Sequence, residues 1–118
     1  PLRSVALTTD TSVLTCIAND YDYGSVFERQ VEALVTEKDA LVVLSTSGNS
    51  ENIVRALRAA KDKRARTIAM LGKGGGSAAE IAENIIVVDS TSTARIQEAH
   101  ITIGHIVCEL IEKGLGFD

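Results

Sequence analysis

The sequence has few aromatic residues, little proline and only two cysteines. Its 118 residues include two Tyr, two Phe, one Pro and no Trp. Cys16 and Cys108 lie far apart and match no metal-ligand spacing, so we expect two half-buried thiols in a reducing cytosol. Because aromatic side chains are scarce, the core must be built from Ile, Val, Leu and Ala, which is typical of layered α/β proteins.

An excess of basic charge and a long apolar run are also missing. Twelve basic residues stand against sixteen acidic ones, which gives a net charge of −4. This balance excludes the broad basic face that a nucleic-acid-binding protein needs. No apolar run reaches the roughly 18 residues of a transmembrane helix. We therefore expect neither nucleic acid nor a membrane among the partners.

The hydrophobic pattern that is present alternates between strand and helix. Four short apolar runs, at residues 4–7, 41–44, 67–71 and 84–88, are predicted to be strands. The second and fourth are almost continuously apolar, which indicates strands covered on both faces of a parallel sheet. Helical periodicity is found at residues 12–19, 26–35, 52–62, 77–83 and 95–113. The alternation predicts a doubly wound α/β sheet in one domain spanning residues 1–118.

The strongest local signal is the serine loop, residues 45–50, with the sequence Ser-Thr-Ser-Gly-Asn-Ser. It joins a predicted buried strand to a predicted helix, whose N-terminus has free N–H groups and attracts anions. Gly48 lets the backbone curl around a ligand. Four hydroxyls can donate to phosphate oxygens: those of Ser45, Thr46, Ser47 and Ser50. Helix capping would explain one such residue, and the absence of lysine excludes the nucleotide P-loop. The loop therefore predicts a site for the phosphate monoester of a small sugar.

A second glycine-rich stretch, the glycine segment (residues 72–77), also follows a strand and contains Lys73. It lacks the spacing of a nucleotide-binding loop. We therefore predict a flexible connection there rather than a second phosphate site.

The last predicted helix carries polar side chains within an apolar stripe. Gln97 and His105 lie roughly on one face, whereas His100 is about 140° away from His105. The two histidines therefore cannot form the i, i+4 metal pair of a zinc protease. A buried or interface histidine is one interpretation of His105. The other is a ligand or metal contact, because polar groups in an apolar stripe need partners.

These motifs together resemble the sugar isomerase (SIS) family, and most closely the sedoheptulose-7-phosphate isomerases, also called phosphoheptose isomerases. The resemblance rests on the serine loop, on residues 94–100 (Ala-Arg-Ile-Gln-Glu-Ala-His) and on His105. Residues 8–12 (Thr-Thr-Asp-Thr-Ser), 18–21 (Ala-Asn-Asp-Tyr) and 29–34 (Arg-Gln-Val-Glu-Ala-Leu) fit the same group. The likeness covers essentially the whole sequence.

The resemblance implies a specific reaction and assembly. The family converts sedoheptulose 7-phosphate to D-glycero-D-manno-heptose 7-phosphate, the first step toward the ADP-heptose of the lipopolysaccharide core. It implies a flavodoxin-like sheet, a homotetramer and active sites near subunit boundaries. Asp10 would contact the substrate, and Gln97 and His105 would serve catalysis and the zinc site of some members. The phosphate cradle would be Ser45, Thr46, Ser47 and Ser50.

The resemblance also implies a longer native chain. Family members carry a helical segment, the first strand and a catalytic glutamate ahead of the position of Pro1, together with a His and Glu metal pair. In the flavodoxin-like strand order 2-1-3-4-5 the first strand lies between two others. The SIS domain in residues 1–118 is therefore expected to be incomplete at its N-terminus, and unstable or inactive by itself.

Two other functions remain compatible with the pattern. One is a non-catalytic module of the same fold that binds a phosphosugar or a protein, like the replication-initiation partner proteins and sugar-sensing domains related to the family. The other is a flavodoxin-like receiver or nucleotide domain, although the acidic cluster and strand-end lysine of a receiver are absent. His105 favours the enzyme, because a binding module needs no acid or base at that position.

Overall fold

The computed structural model describes residues 2–117, which form two consecutive helices followed by three strands that alternate with three further helices. The helices are α1 (Thr11–Asp20), α2 (Ser25–Leu34), α3 (Glu51–Asp62), α4 (Gly76–Ile81) and α5 (Thr93–Gly114). The strands are β1 (Ala40–Ser45), β2 (Arg66–Gly72) and β3 (Asn84–Val88). Each of these elements lies within two residues of its predicted bounds, because the hydrophobic period and the flanking turn residues are local signals.

The three strands form one parallel sheet in the order β1-β2-β3. Helix α3 connects β1 to β2, and α4 connects β2 to β3, so each connection is a helical crossover. The predicted α/β class, with a parallel sheet flanked by helices, is confirmed. Since all three strands run the same way, their carboxyl ends meet at one edge, where Ser45 is the register partner of Leu71.

The core lies on the sheet face that α2 and α3 cover. Leu57 of α3 and Leu71 of β2 are fully buried there, next to Val31 of α2. Burial of each large side chain stabilises the fold by about 1.5–3 kcal/mol. The alanines of α3 are small enough to let the helix lie close to the strands. This packing fixes the start of α3, and therefore the serine loop, relative to the sheet.

The opposite face of the sheet is only partly covered. Val42 and Leu44 of β1 are 48% and 51% exposed, and Ile86 of β3 is 39% exposed. Helix α5 packs on β2, where the buried Ile96 lies against Gly72. The prediction that the strands are covered on both faces is therefore wrong for β1 and β3 within residues 2–117. Alternate side chains point to opposite faces, and α5 packs mainly on the middle strand.

Residues 4–7 do not form the predicted strand. Val5 is 76% exposed, and the Leu7 carbonyl accepts a hydrogen bond from the Gln30 side chain at 3.0 Å instead of from a strand. A strand requires a neighbour for its backbone hydrogen bonds. The strand that the flavodoxin-like order would place beside this segment is not among the described residues.

Both cysteines are exposed and free, so the expectation of half-buried thiols is wrong. Cys16 lies on the outer side of α1, where its thiol donates a hydrogen bond to the Asp20 carboxylate. That bond, together with the charge of Asp20, raises the pKa of the Cys16 thiol. Cys108 lies on the outer side of α5. Among residues 2–117, no helix has the length and apolar character needed to cross a membrane.

Candidate phosphosugar site

The serine loop links the end of β1 to the start of α3. The Ser45 side chain is almost completely buried, and its hydroxyl oxygen accepts a hydrogen bond from the Gly48 N–H at 3.1 Å. The Ser47 hydroxyl accepts from the Asn49 N–H at 3.2 Å. Ser50 is the N-cap residue of α3, but its side chain makes no capping hydrogen bond. Ser45 and Ser47 therefore stabilise the conformation of the loop, whereas the Ser50 hydroxyl is not used for capping and is available to a ligand.

The glycine segment packs directly against the serine loop. Gly48 has φ +66°, and a Cβ added there would lie 1.8 Å from the Gly75 carbonyl oxygen. A Cβ at Gly76 (φ +54°) would lie 2.5 Å from the Ser47 carbonyl oxygen. The Gly48 carbonyl also accepts from the Ala78 N–H at 2.9 Å. The glycine segment is thus a support for the loop, which corrects the prediction of a flexible connection.

Asn49 ties the two segments together through its side chain. Its amide oxygen accepts hydrogen bonds from the Ser77 N–H at 2.9 Å and from the Ser77 hydroxyl at 3.2 Å. Ser77 lies in the first turn of α4. The asparagine of the loop therefore satisfies a helix N-terminus on the neighbouring connection.

A cavity of about 370 Å³ opens between the serine loop and α5. The loop side is lined by Ser45, Thr46 and Ser50, together with Leu44 at the end of β1. The helix side is lined by Gln97, His100 and Ile101. The cavity therefore lies at the carboxyl ends of the strands, where open parallel α/β sheets bind their ligands.

The structure brings together four of the predicted site residues and separates the others. Those that line the cavity are Ser45, Thr46, Ser50 and Gln97. Ser47 belongs to the loop but does not line the cavity. His105 is exposed, one helical turn beyond Ile101. Asp10 is the N-cap residue of α1, and its carboxylate accepts from the Val13 N–H at 3.0 Å.

His100 is a cavity residue that sequence reasoning missed. Its side chain is 3% exposed, and its Nε2 lies 3.0 Å from the Leu71 carbonyl oxygen. From the sequence, the direction of His100 on the helix was considered only relative to that of His105. Its position three residues after Gln97 was the informative spacing, because residues three and four apart share a helix face.

The described residues do not supply a complete zinc site. Residues 2–117 contain no group of three or more His, Cys, Asp or Glu side chains that could hold a metal ion. Gln97 and His105 are eight positions apart on α5, which corresponds to about 12 Å along the helix axis. Zinc bonds are about 2 Å long, so both side chains would have to extend toward each other along the helix to share one ion.

Arg55 connects the first turns of α3 to the segment between α1 and α2. Its guanidinium donates to both carboxylate oxygens of Asp22 at 3.2 Å and to the Ser25 hydroxyl at 3.1 Å, and it also pairs with Glu51. Glu51 immediately follows Ser50, so its charge would oppose an anion in the loop. Arg55 offsets that charge.

Removal of Arg55 is expected to make the protein more sensitive to acid. Desolvation raises the pKa of Asp22, but the hydrogen bond and charge of Arg55, together with hydrogen bonds from Ser25, outweigh it, and the pKa is lowered overall. A carboxylate with a lowered folded-state pKa contributes stability above its unfolded pKa and loses it as pH falls through the folded value. In Arg55→Met the acid-unfolding midpoint, followed by circular dichroism, should therefore move to higher pH.

The exposed ion pair between Arg64 and Glu37 offers a matched control, since its partners are 82% and 56% exposed. Arg64→Met should leave the acid midpoint close to that of the wild type. An Arg55→Met midpoint equal to that of Arg64→Met would contradict the assigned role of Arg55.

Comparison with known proteins identifies a family and its relatives. The model of the family described as SIS domain matches residues 1–72. A protein named phosphoheptose isomerase from Aquifex aeolicus is 53% identical over 113 residues, which are 96% of this chain and 59% of that protein. A protein of the same name from Geobacter sulfurreducens is 55% identical over 114 residues, covering 97% of this chain and 60% of that protein.

Two solved structures have the same fold as this chain. The phosphoheptose isomerase structure from Neisseria gonorrhoeae has a TM-score of 0.89 and 46% identity, covering 91% of this chain and 61% of that one. The structure from Francisella tularensis has a TM-score of 0.93 and 38% identity, covering 96% of this chain and 61% of that one. The chain therefore spans about three fifths of the length of the relatives that it matches.

Proposed function

The chain belongs to the SIS domain family, and from that membership we propose that the complete protein is a phosphosugar isomerase. Its reaction would be the conversion of sedoheptulose 7-phosphate to D-glycero-D-manno-heptose 7-phosphate, which leads toward ADP-heptose and the lipopolysaccharide core. The observation that carries the proposal is the cavity between the serine loop and Gln97 of α5. The names of the relatives support the same reaction. Residues 1–118 would form part of a single phosphosugar-binding domain.

The phosphate group would sit at the start of α3. Thr46 and Ser50 line the cavity, and the helix N-terminus adds backbone N–H donors and a partial positive charge. Ser45 and Ser47 would act mainly by holding the loop in shape through their bonds to Gly48 and Asn49. This division gives each of the four hydroxyls of the loop a role.

The isomerisation moves a proton between C1 and C2 through an enediol, which requires an acid–base group and a partner for the developing oxyanion. We assign the acid–base role to His105, because an imidazole exchanges protons near neutral pH. Gln97 would donate to a substrate oxygen from the cavity wall. His105 lies about 6 Å further along α5 than Ile101, so it would meet the end of an extended sugar that is remote from the phosphate.

The geometry gives less support to a substrate contact by Asp10 and to zinc binding than to phosphate binding by the serine loop. The substrate contact of Asp10 rests on the family resemblance, since in this chain its carboxylate caps α1. Zinc binding at Gln97 and His105 rests on the same resemblance, and it would need ligands beyond those of the described residues.

A homo-oligomer, as in the tetramer that the resemblance implies, is part of the proposal. Helix α5 exposes large apolar side chains from Ile101 onward: Ile101, Ile106, Val107, Leu110 and Ile111. A contiguous apolar surface of this kind is typical of a protein interface. The two free thiols suit the reducing conditions of the cytoplasm, where we place the enzyme.

Replacement of Ser50 by Ala tests the proposed site directly. With sedoheptulose 7-phosphate as substrate, Ser50→Ala should raise KM about 10-fold or more, since a hydrogen bond to a charged group contributes about 1.5–3 kcal/mol. Ser92 provides a matched control, because it is the N-cap residue of α5 and likewise makes no side-chain capping bond. Ser92→Ala should leave KM unchanged. Equal KM values for the two variants would contradict phosphate binding at Ser50.

The alternative function is a non-catalytic phosphosugar-binding or protein-interaction module, and the exposed position of His105 favours it. Wild-type protein that binds sedoheptulose 7-phosphate in calorimetry, but does not convert it, would establish this alternative. Conversion that can be measured by chromatography of the sugar phosphates would exclude it.

A further inference from the structure

His100 is a buried imidazole that the proposed reaction does not use. It lies on α5 between Gln97 and Ile101, and all three residues line the cavity. Only 3% of its side chain is exposed, although it can carry a charge. A buried imidazole needs hydrogen-bonding partners for its nitrogens, so its surroundings determine what it can offer to a ligand.

The hydrogen bond to Leu71 determines which nitrogen carries the proton. The Leu71 carbonyl oxygen, 3.0 Å from Nε2, can only accept a hydrogen bond, so Nε2 must be the donor. In the neutral imidazole the other nitrogen, Nδ1, is then an acceptor with an unshared lone pair. The backbone of β2 thus fixes the tautomer of His100.

The Nδ1 atom of His100 makes no hydrogen bond within residues 2–117. Among residues 2–117, no side-chain nitrogen or oxygen is both fully buried and without a hydrogen-bond partner. The bond to Leu71 uses only Nε2. Since Nδ1 has no protein partner there and is not sealed in the core, it must have access to open space, and the cavity is the space that His100 lines.

The position of Nδ1 determines which part of a bound ligand it could contact. Leu71 is the register partner of Ser45, so the imidazole is held one strand away from the serine loop. Neighbouring strands are about 4.8 Å apart. A group on Nδ1 would therefore be close to the phosphate-bearing end of a bound sugar and far from the end that faces His105.

We infer that His100 accepts a hydrogen bond from a sugar hydroxyl near the phosphate, and so distinguishes sugar phosphates from inorganic phosphate. The inference rests on the proposed phosphosugar site. The serine loop and the α3 N-terminus recognise the anion, whereas a hydroxyl needs an acceptor, and Nδ1 supplies one at a fixed position. His100 is then a specificity-determining residue that acts on binding more than on the chemical step.

Two substitutions separate this role from a structural one. In His100→Gln the amide nitrogen can occupy the position of Nε2 and keep the bond to Leu71, while the acceptor at Nδ1 is lost. In His100→Asn the amide oxygen can occupy the position of Nδ1, but the Leu71 carbonyl loses its donor. Calorimetric titration of the complete protein with sedoheptulose 7-phosphate and with inorganic phosphate measures both recognition elements, and a thermal scan measures Tm.

We expect His100→Gln to weaken binding of the sugar phosphate about tenfold, with the Kd for inorganic phosphate and the Tm near those of the wild type. In His100→Asn we expect a Tm lower by about 5 °C or more, with the Kd for sugar phosphate within about threefold of the wild type. In turnover, His100→Gln should raise KM and leave kcat nearly unchanged.

Other outcomes overturn the inference in distinguishable ways. Wild-type affinity of His100→Gln for the sugar phosphate would show that Nδ1 contacts no hydroxyl. Equal losses of sugar affinity in both variants would make His100 a structural residue. Failure of the wild type to bind either ligand would remove the phosphosugar site, and this inference with it. Binding without turnover would remove only the isomerase activity.

Discussion

Replacement of Gly48 by Ala is expected to abolish sugar-phosphate binding and to lower the free energy of unfolding by about 3–5 kcal/mol. Two costs combine at this position. The residue has φ +66°, which is unfavourable for a side chain, and the new Cβ would lie 1.8 Å from the Gly75 carbonyl oxygen. Because the obstacle is backbone, the serine loop and the glycine segment must separate. Denaturant unfolding and phosphate titration measure the two effects.

Gly74 provides the control that separates these costs. Its φ is +83°, but a Cβ there would meet nothing within 4 Å. Gly74→Ala should therefore lose only the cost of a left-handed backbone, about 1–2 kcal/mol, and should still bind phosphate. If Gly48→Ala were no less stable than Gly74→Ala, the close contact between the two segments would not exist in the folded protein.

Replacement of His105 by Ala is expected to lower kcat for sedoheptulose 7-phosphate by about 10²–10⁴-fold, the usual contribution of a positioned acid–base group. The Kd of the substrate should change little, because in the proposed site the serine loop holds the phosphate and His105 does not line the cavity. The assay requires the complete protein, run with and without added zinc, so that loss of a metal ligand is distinguished from loss of a proton donor.

Cys108→Ser serves as the matched variant for this experiment. Cys108 is exposed and lies three residues beyond His105 on α5, so it tests for disturbance of the helix surface alone. It should retain the kcat of the wild type. A kcat for His105→Ala that equals that of Cys108→Ser would assign His105 to the surface of the helix and its assembly, and the acid–base group would have to be sought elsewhere.

Local patterns were sufficient to predict the eight helices and strands of the described residues and the position of the serine loop between β1 and α3. The apolar run of β1 is followed by Ser45, and α3 begins directly after Ser50, so the loop lies between its strand and its helix as the sequence indicates. Gln97 could be placed on the correct face of α5 because helical spacing is regular. These features depend on residues within one or two turns of each other, and a single sequence contains that information.

Features that depend on distant segments could not be predicted in the same way. The run at residues 4–7 has the composition of a strand, but a strand also needs a neighbour, and composition does not reveal one. The open face of β1 depends on where α5 crosses the sheet. The contact of Gly48 with Gly75 joins two connections that are 27 residues apart in sequence. The inferred role of His100 depends on its hydrogen bond to the Leu71 carbonyl, which lies on another element.

The contact between the serine loop and the glycine segment has a consequence for the order of folding. The loop belongs to the β1–α3 crossover and the glycine segment to the β2–α4 crossover, so the loop can take its final shape only after β1 has paired with β2 and both connections are in place. Non-local pairing of this kind is slow. The proposed anion site is thus among the last features to form during folding. Because the site is absent from the folding transition state, a bound sugar phosphate should slow unfolding more than it speeds folding.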